Sequence, residues 1–302
     1  MPRRSALRFI VLLGVVSLFA DMTYEGARSI TGPYLAVLGA SATAVGLVAG
    51  FGEFIGYGLR LVSGYLSDCT GRYWAITIAG YAVNLCAVPL LALASHWWVA
   101  VILIVAERAG RAIRTPARDA MLSHAAGHTG LGWGFGLHEA LDQTGAVIGP
   151  LVVGAVLYLD GGYDVGFAVL AVPAVMAMAV LLTARHFYPR PRDFDLAPPP
   201  LEGTGLPRTF WVYLVSVACV AAGYADFPLI AYHFERVRVV DPAWIPVLYA
   251  VAMGADAIAA LVLGRLFDRV GLRTMVAAIL ASALTAPFAF LGGAPGAVIA
   301  MV

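Results

Sequence analysis

Nine stretches of about twenty mainly apolar residues recur along this chain, each long enough to cross a hydrocarbon core of about 30 Å as a helix. They lie at residues 8–38, 41–66, 74–94, 97–118, 131–159, 165–184, 210–232, 242–264 and 274–291, and a tenth begins at Ala294 and reaches Val302. Lipid offers no hydrogen bonds, so each stretch must satisfy its own backbone groups, and the helix is the form that does so. Composition agrees: 61 % of the 302 residues are hydrophobic and 12 % are charged, against about a quarter charged in a soluble domain. An ordinary soluble enzyme and a disordered segment are thereby excluded. Three cysteines (Cys69, Cys86, Cys219), odd in number and without paired spacing, predict neither a disulfide framework nor a zinc site. Arg3 and Arg4 precede the first stretch as they would a signal peptide, but the stretch resumes after Asp21, so a retained helix is expected. The expected fold is an all-α polytopic membrane protein with nine complete transmembrane helices and the start of a tenth.

Every basic residue is an arginine, and the nineteen bases nearly cancel the eighteen acids, so no nucleic-acid partner is expected. Arg28 and Arg108 lie within spans and Arg236 and Arg238 in one outer loop; all other arginines fall on a single side. That side is cytoplasmic by the positive-inside rule, which places the N-terminus inside the cell and the protein in the inner or plasma membrane. Trp97, Trp98 and Trp244 fall at the opposite boundary, where an aromatic belt would sit. Residues 187–208 carry Pro189, Pro191, Pro198, Pro199, Pro200 and Pro207 among charged residues, too polar for a span and too proline-rich for a helix. They read as a cytoplasmic linker between a six-helix bundle at 1–186 and a partial second bundle at 209–302.

The two bundles share a repeat. Gly64, Leu66, Asp68 and Gly71 recur as Gly264, Leu266, Asp268 and Gly271, at one offset of 200 positions (264 less 64). Both copies occupy the inner loop after the second span of their bundle. Paired bundles related by a repeat are a common build of secondary transporters.

Charge placement points the same way. Spans three, six and nine contain no ionisable acid or base, whereas the others carry Asp21, Glu25 and Arg28; Glu53; Glu107, Arg108 and Arg111; Glu139 and Asp142; Asp226; and Asp256. An ionised group at the bilayer centre costs about 2.5–3.5 kcal/mol, so these should face water or a partner. Every third helix is then a lipid-facing buttress, and its two neighbours enclose a polar cavity. At about 1.5 Å per residue, Glu53, Arg108, Asp142 and Asp256 fall near mid-membrane. Asp21, Tyr24, Glu25 and Arg28 share one helix face, which predicts a Glu25–Arg28 pair. Arg108, too deep to reach the interface, should meet Asp21 or Glu25, whereas Arg114 and Arg118 should anchor the inner end of their helix. A membrane-embedded carboxyl can be reversibly neutralised, the property a proton carrier needs. Asp21, Glu53, Glu139 and Asp142 are the candidates, and Asp226 and Asp256 sit within a turn of the repeat equivalents of Glu25 and Glu53. His138, beside Glu139, reads as a polar packing residue. No metal-ligand spacing and no phosphate-binding glycine loop occurs, so no metal or cofactor is expected.

The loop motif resembles that of the major facilitator superfamily, Gly-x-x-x-Asp-(Arg/Lys)-x-Gly-Arg-(Arg/Lys). Gly64, Asp68, Gly71 and Arg72 match, whereas Cys69 and Tyr73 replace bases; in the second copy Gly264, Asp268, Arg269 and Gly271 match, with the next arginine displaced to Arg273. The resemblance implies that this loop latches one access state. Gly136, Gly145, Gly149, Pro150 and Gly154 on the fifth span are similar to the antiporter motif of drug/proton exchangers, with Val153 where a glycine is common. Plain small-residue packing is the other reading of them. The resemblance covers almost the whole chain, though members usually carry twelve helices, and it implies a non-enzymatic transporter. Proton-coupled export of a small organic solute by alternating access, from a monomer in membrane lipid, is the expected function. A uniporter or importer of a small metabolite anion, and a non-transporting membrane scaffold or receptor, are the alternatives.

Overall fold

A computed structural model describes residues 3–129, 131–190, 208–222, 227–270 and 273–301. Helices α1 (Arg3–Val37), α2 (Ala42–Thr70), α3 (Tyr73–Leu90), α4 (Trp97–Ala126) and α5 (Leu131–Tyr158) correspond to the first five stretches. The sixth is divided into α6 (Tyr163–Val169) and α7 (Ala171–Phe187), and the described residues of the seventh lie in α8 (Arg208–Ala222) and α9 (Phe227–Val237). Helix α10 (Trp244–Val270) is the eighth, α11 (Arg273–Ser282) and α12 (Thr285–Leu291) share the ninth, and α13 (Gly293–Ala300) is the beginning of the tenth. The breaks before α7 and α12 precede Pro173 and Pro287, whose missing N–H groups interrupt the helical ladder. Among the described residues every regular element is helical, as an all-α bundle requires.

Among the described residues, five helices are long and apolar enough to cross a membrane by length and composition: Arg4–Val37, Ala42–Thr70, Tyr73–Leu93, Gly134–Tyr158 and Tyr163–Phe187. The fourth stretch is not among them, because α4 carries Glu107, Arg108, Arg111, Arg114, Arg118 and Asp119 along its length. Glu107, Arg111, Arg114 and Arg118 among them reach to neighbouring helices, as described below.

Helix α1 is the axis of the bundle. It packs along α5, α7 and α9, and it buries Phe9, Ile10, Leu13, Val16 and Ile30 completely. Helix α4 lies between α2 and α3, and α10 packs on α5. A second apolar cluster of Phe227, Ile230, Phe234, Ile245 and Leu248 joins α9 to α10.

The α2–α3 turn needs a glycine. Gly71 ends α2 with φ 64°, donating its N–H to the Ser67 carbonyl at 2.8 Å. In that left-handed conformation a Cβ clashes with the backbone. Gly64 faces Pro116 of α4, and Asp68 and Arg72 are exposed on either side of the turn. The side chains of Gly264, Asp268 and Arg269, and Gly271 itself, lie outside the described residues, so the second copy of the turn is not described.

The buttress expectation needs one correction. Helix α3 is charge-free but more deeply buried than α2, which exposes Leu47, Phe51, Phe54, Leu61 and Tyr65 in a continuous apolar stripe. The reason is periodicity: α2 turns Gly52, Gly56 and Arg60 inward at four-residue intervals and leaves the opposite face apolar. An ionisable residue on a helix marks one inward face, not a wholly inward helix.

Candidate functional site

The polar side chains of α1 fall into two sets. Thr23, Ser29 and Thr31 donate to carbonyls of their own helix, Phe19, Gly26 and Ala27, at 2.9, 2.6 and 2.8 Å, and so satisfy themselves. Ser17, Asp21 and Glu25, buried at four-residue intervals, look to other helices instead.

Ser17 lies 3.0 Å from Nε2 of His138 on α5 and accepts from Nη1 of Arg118 on α4, also at 3.0 Å. One turn on, the carboxyl groups of Asp21 and of Asp142 on α5 are close neighbours across the α1–α5 seam. The Oδ1 atom of each is buried without a hydrogen bond. Two carboxylates this close repel one another unless one of them carries a proton. Another turn on, Glu25 faces Arg28 at 3.9 Å and Arg111 at 3.6 Å, and accepts from the hydroxyl of Tyr249 on α10.

The arginines of α4 are placed by a backbone crossing. A methyl group at Gly110 would overlap the backbone of Asn84, and one at Gly80 would sit 2.6 Å from the Arg114 nitrogen, so α3 and α4 touch main chain to main chain. That contact brings Tyr81 and Asn84 of charge-free α3 onto α4. Asn84 donates to the Glu107 carboxylate at 2.8 Å and to its carbonyl at 3.1 Å, and Arg114 donates to the Tyr81 hydroxyl at 2.8 Å. Arg114, 1 % exposed, lies over the Tyr81 ring at 4.2 Å and near that of Tyr24 at 5.6 Å, and Arg111 covers Tyr24 at 4.2 Å.

Two sequence expectations are corrected here. Arg114 is no interfacial anchor but a buried core cation, because it sits on the α4 face that crosses Gly80. The guanidinium that meets Glu25 belongs to Arg111, one turn below Arg108; Arg108 lies along Gly52 of α2, where an added Cβ would be 2.6 Å from its Cδ. Arg118 is paired with Asp119 at 2.9 Å as well as with Ser17. Removing the Tyr81 hydroxyl leaves a buried guanidinium donor unmatched, so Tyr81→Phe should lower stability by about 1–2 kcal/mol. Thermal unfolding in detergent measures this, and an unchanged midpoint would mean that the ring alone holds Arg114.

Helices α5 and α10 meet at the site. Gln143, next to Asp142, donates to Glu139 of its own helix and to Asp256 of α10, both at 3.3 Å. Towards the ends of α1 and α5 remote from the N-terminus, Tyr163 bonds Glu235 at 3.5 Å and Tyr232 bonds the Ala40 carbonyl at 3.3 Å. Gly32 of α1 also lies against the Pro228 backbone of α9. The Glu53 side chain and Asp226 lie outside the described residues.

The fifth-span glycines divide by face. A methyl group at Gly145 or Gly149 would overlap the carbonyl of Leu18 or Met22 on α1, whereas one at Gly154 would make ordinary contacts with Val247 at 3.5 Å, and one at Gly136 would meet nothing. Pro150, following Gly149, removes a backbone donor within α5. A cavity of about 50 Å³ opens between α1, α2 and α4, with Arg28, Arg60, Arg108, Arg111 and Glu107 on its wall.

Neutral partners were not legible as site residues. Tyr81, Asn84, Gln143 and Tyr249 carry no charge, and only the presence of Asn84 in an otherwise apolar span signals a buried hydrogen-bond partner.

The family model for the Major Facilitator Superfamily matches residues 12–302. An uncharacterized protein of Mycobacterium tuberculosis (strain ATCC 25618 / H37Rv) is 47 % identical over 296 residues, covering 96 % of this chain and 72 % of that one. An uncharacterized MFS-type transporter of Methanocaldococcus jannaschii is 33 % identical over 180 residues, 59 % of this chain and 44 % of the other. Among solved structures, the nucleoside transporter NupG matches with TM-score 0.70 and 11 % identity over 97 % of this chain and 77 % of that chain. A bacterial homolog to the human lysosomal transporter Spinster, inward-facing and occupied, matches with TM-score 0.69 and 17 % identity over 100 % of this chain and 72 % of that one. At such identities the likeness is one of fold.

Proposed function

The chain belongs to the major facilitator superfamily, and we propose that this multi-pass membrane transporter couples the movement of a small organic solute to proton transfer at Asp21 and Asp142. It is a carrier, not an enzyme. The observation that supports the coupling is the carboxyl–carboxyl contact between α1 and α5. With one proton the pair is a hydrogen bond. Without it, two like charges face each other, and at about 4 Å their repulsion is about 4 kcal/mol for an effective dielectric of 20. A change of that size moves a two-state equilibrium most of the way across.

The consequence reaches the second bundle through the next residue. Gln143 holds Asp256 of α10, so a shift of Asp142 bears on the contact between the bundles. In this reading the bundles 1–186 and 209–302, joined by the linker 187–208, rock about the site and open it to one side at a time. The N-terminus is cytoplasmic, as the arginine distribution favours. Export against proton entry is the favoured direction, on the similarity of the fifth-span glycines to the antiporter motif.

The test is a pH gradient imposed on vesicles containing the full-length protein, with candidate solutes preselected by thermal shift. Accumulation that follows the gradient and collapses with a protonophore is the expected result. Transport of a solute at the same rate with and without the gradient would overturn the coupling.

A further inference from the structure

The ion pair of Arg118 with Asp119 ties α4 to no other helix. Neighbouring positions on a helix point about 100° apart, so their side chains do not ordinarily face each other. Arg118 nevertheless turns along α4 to meet the Asp119 carboxylate with Nε and Nη2, each at 2.9 Å. The Asp119 side chain is 41 % exposed, and a pair open to water on one side contributes little, so exchanging it costs little. The other arm of the guanidinium, Nη1, crosses to Ser17 of α1 at 3.0 Å. Ser17 lies one turn from Asp21, and His138, which faces Ser17 from α5, lies one turn from Asp142.

We infer that Arg118 is the exchangeable counter-charge of the Asp21–Asp142 pair: it leaves Asp119 for the pair when the proton departs, and returns to Asp119 when the pair is reprotonated. This rests on the proton-coupling reading and brings a third helix, α4, into it. The proton itself passes from the carboxyl to water. Arg118 keeps its own protons throughout, because a guanidinium does not deprotonate in a protein, so it moves as a charge and relays nothing.

Loss of the proton adds a negative charge between packed helices, where an uncompensated charge is costly. The other arginines of α4 are engaged elsewhere. Arg108 lies along Gly52 of α2, Arg111 is held over Tyr24 and against Glu25, and Arg114 lies between Tyr24 and Tyr81. Arg118 differs in having its own chain neighbour as acid partner. Among nearby charges, that of Arg118 acts most strongly on Asp142. Tyr81 of α3 and His138 and Glu139 of α5 are the other titratable groups around the guanidinium, and Arg111 and Arg114 are the other cations around the pair.

The test is an infrared titration of the full-length protein in detergent, following the carboxylic C=O band that Asp142→Asn removes. Arg118→Gln should raise the pH at which that band disappears by about one pH unit, because the ionised pair loses its counter-charge. Asp119→Asn should lower it by about one pH unit, because the guanidinium is then unclaimed. In the double variant the second effect should vanish, leaving the midpoint of Arg118→Gln. Unmoved midpoints in both single variants would overturn the inference. So would effects that simply add in the double variant, which a fixed field from Asp119 produces without any exchange of partners. A second measurement stands even where Arg118→Gln fails to fold. The carboxylate band that Asp119→Asn removes should shift in the wild type as the pair titrates, and stay still in Asp142→Asn; a band that never shifts would overturn the exchange. The absence of any carboxylic band sensitive to Asp142→Asn would mean that the pair holds no proton, and would end the coupling reading together with this inference. A titrating band with unmoved midpoints would end the inference alone.

Discussion

Replacing Asp142 by Asn should abolish gradient-driven accumulation of solute and leave exchange of solute across the membrane intact. The asparagine amide is nearly the size of the carboxyl and carries a hydrogen that can bond the Asp21 carboxylate, so it imitates the proton-loaded pair permanently. The pair can then neither release nor take up a proton, and accumulation should fall to the level seen without a gradient. Asp21→Asn should behave alike, since the proton belongs to the pair and not to either residue. Counterflow, in which labelled solute exchanges for unlabelled, needs no proton cycle and should persist in both. Vesicle accumulation and counterflow on the same preparations separate the two outcomes. Gradient-driven accumulation surviving in both variants would place the coupling elsewhere. Loss of both activities in a folded variant would make the pair part of solute binding instead.

Gly145→Val should destroy the folded state, the largest stability effect expected for one substitution here. The added side chain would overlap the Leu18 carbonyl on the backbone of α1, where no rotamer change relieves it. Separating α1 from α5 would also part Ser17 from His138 and Asp21 from Asp142. Overpacking costs about 1–3 kcal/mol in ordinary cores and more where the obstacle is backbone. Gly136→Val, in open space on the same helix, is the matched control and should leave the unfolding midpoint in place. Size-exclusion chromatography and thermal unfolding of the two variants provide the comparison. Equal behaviour would mean that α5 can back away from α1. The contrast also bears on the antiporter-like motif, because Gly145 and Gly149 occupy backbone contacts that small-residue packing explains by itself.

What the sequence disclosed depended on period. The repetition of apolar stretches outlined the bundle, and the four-residue spacing on α1 placed Asp21 and Glu25 on the face that carries the site. Helical spacing says which residues share a face but not which helix lies opposite. Arg111, not Arg108, therefore met Glu25, and Arg114 was read as an anchor when it lies 1 % exposed between Tyr24 and Tyr81. The crossing that buries it is set by Gly80 and Gly110, two residues without side chains among many similar glycines. Neutral partners escaped for a related reason: a search for ionisable groups passes over Asn84, Gln143 and Tyr249, although each bonds a carboxylate. Exposure along α2 followed one face of the helix, which a helix-by-helix inventory of charges does not resolve.

Because α1 and α5 touch main chain to main chain at Gly145 and Gly149, neither can slide or twist against the other. In the proposed cycle the coupling proton would stay within this stiff pair of helices and need never leap a gap that is widening. In that cycle motion would fall to the seams where larger side chains intervene, α1 against α9 and α5 against α10. There a few tyrosine and glutamine contacts can break and reform at small cost with every cycle.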